Sequence, residues 1–239
     1  MLEVLDDLSQ LPLGAHALSL HASRREAADH AVAFIKGTPE GQAVAYFVPD
    51  AALAQYYDDR LSEAAPDHLG CVHALGHEQV EFVDGRLRPV AEVRELIGQH
   101  PEGVTAAGET LSQYWAPENM PEHLEYESWF DDQPREDSRF LCPYNLREVP
   151  PEMASNVLRE LGSHHSHVML SQCDEPAARL LQLFIFAVPR DLPTSLQATL
   201  GWAVAEGLVR VEDAGQEMAL TKAGEALVRR WGLEATVNW

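Results

Sequence analysis

Two short stretches of the chain bring metal-ligating residue types together. Cys71 and His73 continue to His77 in a Cys-x-His-x-x-x-His pattern, and His164, His165 and His167 place three imidazoles almost side by side. On a strand Cys71 and His73 would share a face, so a common ion is geometrically open to them. Neither spacing is a zinc signature, and zinc sites usually bring four ligands. These residues read as polar strand-end side chains with ordinary hydrogen bonds, and no metal is expected. Cys142 offers different chemistry. It stands in Phe140-Leu141-Cys142-Pro143-Tyr144-Asn145, at the C-terminal end of an apolar run, where open α/β sheets bind their ligands. Glu109 follows another such run. A cysteine, a glutamate and a histidine around one crevice could form a hydrolase triad, but no cation or helix start adjoins Cys142 to activate its thiol. A small buried thiol is the plainer reading, with a cysteine-dependent enzyme as the alternative. Phosphate chemistry is excluded more firmly. The turn after the first apolar run reads Leu20-His21-Ala22-Ser23-Arg24-Arg25, without the glycines and lysine that wrap a nucleotide's phosphates.

These residues must be held by regular elements, and the chain supplies an alternating series. Short apolar runs at 17–20, 43–48, 69–75, 104–107, 140–144 and 168–170 are separated by amphipathic stretches near 24–35, 51–64, 90–99, 121–131 and 151–161. Strands alternating with helices predict a mostly parallel sheet covered by helices on both faces. Ser23 ahead of Arg24-Arg25-Glu26 is a capping box, and Pro151 suits a first helical turn. Leu2, Leu5 and Leu8 suggest a short leading helix. Residues 80–87 alternate around Asp84-Gly85, a strong hairpin signal, placed at the edge of the sheet. Past Asp174 the character changes. A buried helix over 177–188 stops at Pro189, a second runs from Thr194 or Ser195 to Glu206, two short strands flank a polar turn, and Thr221 caps a last helix. This order predicts a small winged-helix-like α+β segment, dividing the chain into 1–173 and 174–239. Leu196, Leu200 and Val204 are expected to face inward, and Val211 to pair with Leu220.

The charge balance bears on partners. The chain has 239 residues with 38 Asp and Glu against 17 Lys and Arg, a net charge of −21. Only Lys36 and Lys222 are lysines. Dense carboxylate argues against unaided nucleic-acid binding and fits adaptation to high salt, where screening weakens the mutual repulsion. From Pro189 onward the chain carries five cations against seven acids, so the tail is far less acidic than the body. Three cysteines at irregular spacing exclude a disulfide framework and suit a reducing compartment. No apolar run is long enough to span a bilayer, and the start Met-Leu-Glu-Val-Leu-Asp-Asp is acidic where a secretory leader would be basic. A cytoplasmic protein with no membrane partner is expected.

Several blocks carry a family resemblance: His16, residues 34–48 (FIKGTPEGQAVAYFV), 103–115 (GVTAAGETLSQYW), 124–132 (LEYESWFDD) and 140–170. In order and spacing they resemble the methanogen/methylotroph sensory (MEDS) domain over about two thirds of the chain. The sharpest matches are the Gly108-Glu109 pair, Glu127, the Cys142-x-Tyr144 strand end and a histidine closing the next helix, taken as His164. The chain departs from the family pattern at Leu20-His21, where an aromatic is common, and at Asn145, where an aspartate is usual. The resemblance implies a RecA-like α/β fold without a phosphate loop, sensing of small organic molecules, and linkage to transcriptional regulation. His16, Glu109, Trp115, Cys142, Tyr144 and His164 make sense as its ligand pocket, an aromatic plate and a thiol among a few polar groups. Gln197, Arg210, Lys222, Arg229 and Arg230 form the surface of the tail able to meet DNA phosphates. The expectation is a small-molecule-sensing regulator acting as a homodimer, without a cofactor. A protein-interaction module that does not bind DNA is the remaining alternative.

Overall fold

A computed structural model describes residues 2–75, 80–84, 86–89, 91–109, 126–130, 136–212 and 217–235. Its elements are β1 (Glu3–Leu5), β2 (His16–His21), α1 (Arg24–Lys36), β3 (Ala43–Val48), α2 (Ala51–Ala64), β4 (Val72–Ala74), β5 (Val80–Val83), β6 (Arg86–Pro89), α3 (Ala91–Gln99) and β7 (Val104–Gly108). After α4, helical over 126–130, come β8 (Arg139–Asn145), α5 (Ala154–His164), β9 (His167–Met169), α6 (Pro176–Gln182), α7 (Thr194–Ala205), β10 (Val209–Glu212), β11 (Glu217–Leu220) and α8 (Lys222–Ala235). Seven strands form one sheet in the order β1-β9-β2-β8-β7-β3-β4, and every neighbouring pair is parallel. Parallel strands covered on both faces read as near-continuous apolar runs. The central strands β2 and β8 fit, with every residue of both buried.

Local signals set many boundaries. Ser23 caps α1 by accepting from Glu26 N–H, and Asp50 caps α2 by accepting from Leu53 N–H. The Glu26 carboxylate reaches one residue further back than a capping box requires, to Ala22 N–H, and also takes the Ser171 hydroxyl and Gln172 N–H. It thereby ties the start of α1 to the chain after β9. Thr221 receives Gly224 N–H at the start of α8, as expected.

Three expectations are corrected. The leading leucines do not form a helix: β1 pairs in parallel with β9, and only Leu8–Gln10 form a 3-10 turn. Sheet pairing satisfies the backbone of so short a segment where an isolated helix could not nucleate. The hairpin β5–β6 has its two-residue turn at Asp84, whose φ of 53° is the left-handed conformation such turns need. It forms a sheet of its own, however, and β4 holds the edge of the main sheet. In the tail, β10 and β11 pair Val209 with Leu220 and Val211 with Met218. The inward stripe of α7 is Leu196, Thr199 and Ala203, with Val204 46% exposed. The helix is apolar almost all round, so hydrophobic spacing alone could not select its buried face.

One core runs from the sheet into the tail. Leu18, Cys142, Tyr144, Leu158 and Phe184 belong to the same cluster as Leu196, Val209, Leu220, Val228 and Trp231. A second cluster, on the opposite face of the sheet, joins Ala17, Tyr46, Val48 and Leu141 to α1 and α2. At the N-terminal end of β8, the buried Arg139 donates to Thr105 Oγ1, to Leu11 O and to Phe34 O in the last turn of α1. Helix C-terminal carbonyls favour a cation. No helix among the described residues is long and apolar enough to cross a membrane.

Gly162 of α5 shows how tightly the two parts join, because a Cβ there would lie 2.0 Å from Ile185 O. Gly162→Ala should cost about 1–3 kcal/mol by overpacking. Gly201, inside α7 with nothing within 4 Å of its would-be Cβ, should gain about 0.5–1 kcal/mol as Gly201→Ala. Urea denaturation of both variants checks the pair; equal effects would mean that α5 does not pack as described.

Candidate functional site

Two sites emerge, one beneath the sheet and one at its C-terminal edge. Side chains alternate between faces along a strand, and register places His16 beside Phe140 and Leu18 beside Cys142. His16, Cys142 and Tyr144 therefore project to the face covered by α4 and α5. There they meet Glu127 of α4 and His165, which follows α5 with extended backbone (φ −113°, ψ 146°). His16 Nε2 lies 3.2 Å from Cys142 Sγ and 3.4 Å from Glu127 Oε2. Cys142 Sγ lies 3.3 Å from Glu127 Oε2, and His165 Nε2 lies 3.5 Å from the same oxygen. The ligand atoms of all four residues fall within 4.8 Å of one another. His16, Glu127 and His165 have side chains with no exposure at all. Tyr144 donates its hydroxyl to Glu127 Oε1. Burial, then the adjoining Glu127 and Cys142, push the Tyr144 phenol well above its ordinary range, so it stays a neutral donor. The rings of His16 and His165 lie 4.1 Å apart, and Phe130 closes over His16. Such an arrangement can share protons among its members or hold a metal ion.

The second site is a crevice of about 300 Å³ where the strands end. It is lined by His21 at the end of β2, Arg24, Asp50 after β3, Glu109 after β7, Asn145 at the end of β8 and Glu148 after it. Ligands in open α/β sheets bind outside these carboxyl ends. Glu109 accepts from the hydroxyl of Tyr46 at 2.9 Å and from that of Tyr57. Burial raises Glu109 to about 7 against the lowering effect of the two hydroxyls. Burial, with His30 nearby, lowers His21 to about 3, so its imidazole is neutral. Its Nδ1 is buried with no hydrogen-bond partner among the described residues, and the same holds for Arg24 Nε. Native buried polar atoms are seldom left unpaired.

Of the expected pocket residues, the structure brings His16, Cys142 and Tyr144 together. It separates Glu109, which has the strand parity of Ala107 and faces α1 and α2, from Cys142 on the other face. The carboxylate beside Cys142 is Glu127. His164 does end α5 and is half-buried, but His165 is the histidine that reaches the centre. Trp115 lies outside the described residues. Cys71 and His73 do not converge: Cys71 is buried, with its thiol pushed up to about 11 by that burial, while His73 is exposed. His77 is outside the described residues. Glu127 was visible as an acidic residue within the aromatic Tyr126–Phe130 segment; a carboxylate among aromatics is a signal for burial.

The tail residues expected to meet DNA phosphates are exposed, and most of their cations are neutralised. Arg210 pairs with Glu212, Lys222 with Glu225 at 2.8 Å, and Arg229 with Glu152 at 3.2 Å. Gln197 contacts Leu192 O, and Arg230 is exposed. Helix α7 contains no cation.

Fold and sites together define an α/β protein with a parallel seven-stranded sheet, a buried polar centre and a crevice at the strand ends. No protein-family model matches the chain, and no curated protein is significantly similar to it. A solved structure from Pyrococcus horikoshii OT3 is similar with a TM-score of 0.48 and 13% identity, over 69% of this chain and 84% of that one.

Glu109 gives the crevice a pH signature. Its folded value is raised, so below about 4.5 it titrates in neither state; between there and about 7 the folded state holds a proton that the unfolded state releases. Its contribution to stability is therefore lost as pH rises through this window. Glu109→Gln, which keeps an acceptor for the tyrosines, should abolish that loss, giving a shallower decline in urea midpoint from pH 5 to 7.5. Parallel pH profiles for variant and wild type would refute the assignment.

Proposed function

We propose that the chain is a small-molecule sensor that binds its ligand in the strand-end crevice and signals through the winged-helix-like tail. The unpaired His21 Nδ1 and Arg24 Nε beside the crevice carry this reading. A small polar organic molecule with one group for each would satisfy both. His21 and Asn145, the two positions where the chain departs from the family it resembles, both line the crevice, which supports a ligand chemistry particular to this chain. A route outward begins one residue from Glu148. Arg147 donates to Ala22 O and to Trp231 O, and its guanidinium lies 4.3 Å from the centre of the Trp231 ring of α8. A ligand that shifts Asn145 and Glu148 would move this joint and, with it, α8.

Two outputs fit the tail. Its order of elements suits duplex DNA, with phosphate contacts supplied by a homodimer because each chain has few unpaired cations. Contact with protein is the second reading. It is favoured by the exposure of Trp202, Val204 and Val211 on α7 and β10, 38–46% of each, three of the six exposed large apolar residues among those described.

A metabolite library screened by thermal shift tests the input. Compounds that stabilise the wild type should lose most of that shift in His21→Leu and in Arg24→Met. Hydrogen exchange in α8 should respond to such a compound in wild type and lose that response in Arg147→Ala. Absence of any crevice-dependent hit would sink the sensor reading. For the output, duplex binding at low salt that falls with a steep salt slope supports DNA, and dimerisation without duplex retention supports protein contact.

A further inference from the structure

The geometry points to a tetrahedral zinc-class metal site formed by His16 Nε2, Glu127 Oε2, Cys142 Sγ and His165 Nε2. The inference stands on the buried centre alone and is independent of the sensory reading. Zinc holds nitrogen, oxygen and sulfur ligands at about 2.0–2.3 Å, so the edges of its tetrahedron measure about 3.3–3.8 Å. Four of the six separations among these atoms run from 3.2 to 3.5 Å, and the other two, from His165 to His16 and to Cys142, lie within 4.8 Å, so a small turn of the His165 ring would close the tetrahedron. Sites of this kind are also built outward from the ligands, by groups that orient them. His165 Nδ1 lies 2.6 Å from Leu161 O. A carbonyl only accepts, so Nδ1 carries the proton, and Nε2 of the neutral ring presents a lone pair toward the Glu127 carboxylate. Two lone pairs face each other there unless a proton or a metal ion lies between them. The other Glu127 oxygen is engaged by the Tyr144 hydroxyl, leaving Oε2 to turn inward.

Charge supports the same assignment. Ionised to bind a metal, Cys142 and Glu127 together would carry two negative charges in a place without solvent, where isolated charge is very costly. A divalent ion with two neutral imidazoles makes the centre electrically neutral. Four mixed nitrogen, sulfur and oxygen donors favour zinc over calcium or magnesium, which take more ligands and only oxygen. Four protein ligands leave no open position, so the ion would staple β2, α4, β8 and the chain after α5 rather than catalyse. None of the ligands is close to another in sequence, so no zinc motif appears.

Because the site is buried, the full chain would be unfolded in urea under reducing conditions and refolded with zinc, with cobalt, or with a chelator. About one ion per chain should remain after desalting. The cobalt form should show a thiolate-to-metal charge-transfer band and the intense visible bands of four-coordination. Cys142→Ala should lose the charge-transfer band, while the Cys71→Ser/Cys173→Ser double variant keeps it. The chelator-refolded protein should melt at a lower temperature than the zinc form. Should Cys142→Ala fail to fold, the double variant still decides, since its band can come only from Cys142. A wild type that refolds to the same melting temperature in chelator, or that retains well under one ion per chain, would overturn the site. So would cobalt spectra lacking the thiolate band.

Discussion

Burying a carboxylate without partners costs several kcal/mol, and Glu127 is wholly buried between four other polar side chains. The surrounding architecture follows from meeting that cost. His16 must open β2, Cys142 and Tyr144 must occupy one face of β8, and α5 must end where the next residue can turn its imidazole inward. Aromatic rings complete the enclosure, with Phe130 5.3 Å from Phe140 and Trp129 edge-on to Phe130. Removing any one polar partner would leave the others desolvated and under-satisfied, so the group acts as a unit.

A second polar knot lies on the opposite face of the sheet, at the N-terminal end of β8. Arg139, the first residue of β8, gathers backbone carbonyls from the segment before β2 and from α1, while Thr105 passes its hydroxyl on to Gln42. Burial lowers the guanidinium to about 10, which still leaves it charged at neutral pH. The two ends of β8 thus have different characters: a rigid base tied by Arg139, and an upper end that opens on a crevice with unspent hydrogen-bonding capacity. Rigid scaffolds carrying binding groups at strand ends are a recurring arrangement in α/β proteins.

The tail is joined to this scaffold by more than a linker. Ser155 Oγ accepts from Leu220 N–H, Arg159 donates to Met218 O, and Arg147 grips α8. Helix α5 therefore touches the β10–β11 hairpin on one side and ends at the buried centre, while the turn after β8 touches both the crevice and α8. Contacts already formed thus join the tail to the neighbourhood of both sites.

Much of this was legible in the amino-acid order. Alternating apolar runs and amphipathic stretches prescribed a parallel sheet with helices on both faces. Ser23, Thr221 and the Asp84 turn marked their own positions, because caps and tight turns depend on neighbouring residues alone. The lack of glycines after β2 excluded a phosphate loop for the same local reason. Only the tertiary structure decided which polar residues meet. Cys142 lies 126 positions from His16, and their contact depends on strand order and register, which no short window contains. Whether His164 or His165 faces inward turned on where the backbone of α5 gives way to extended chain. The face taken by Glu109 followed from the pleat of β7, and the exposed side of α7 followed from packing, since the helix is apolar nearly all round.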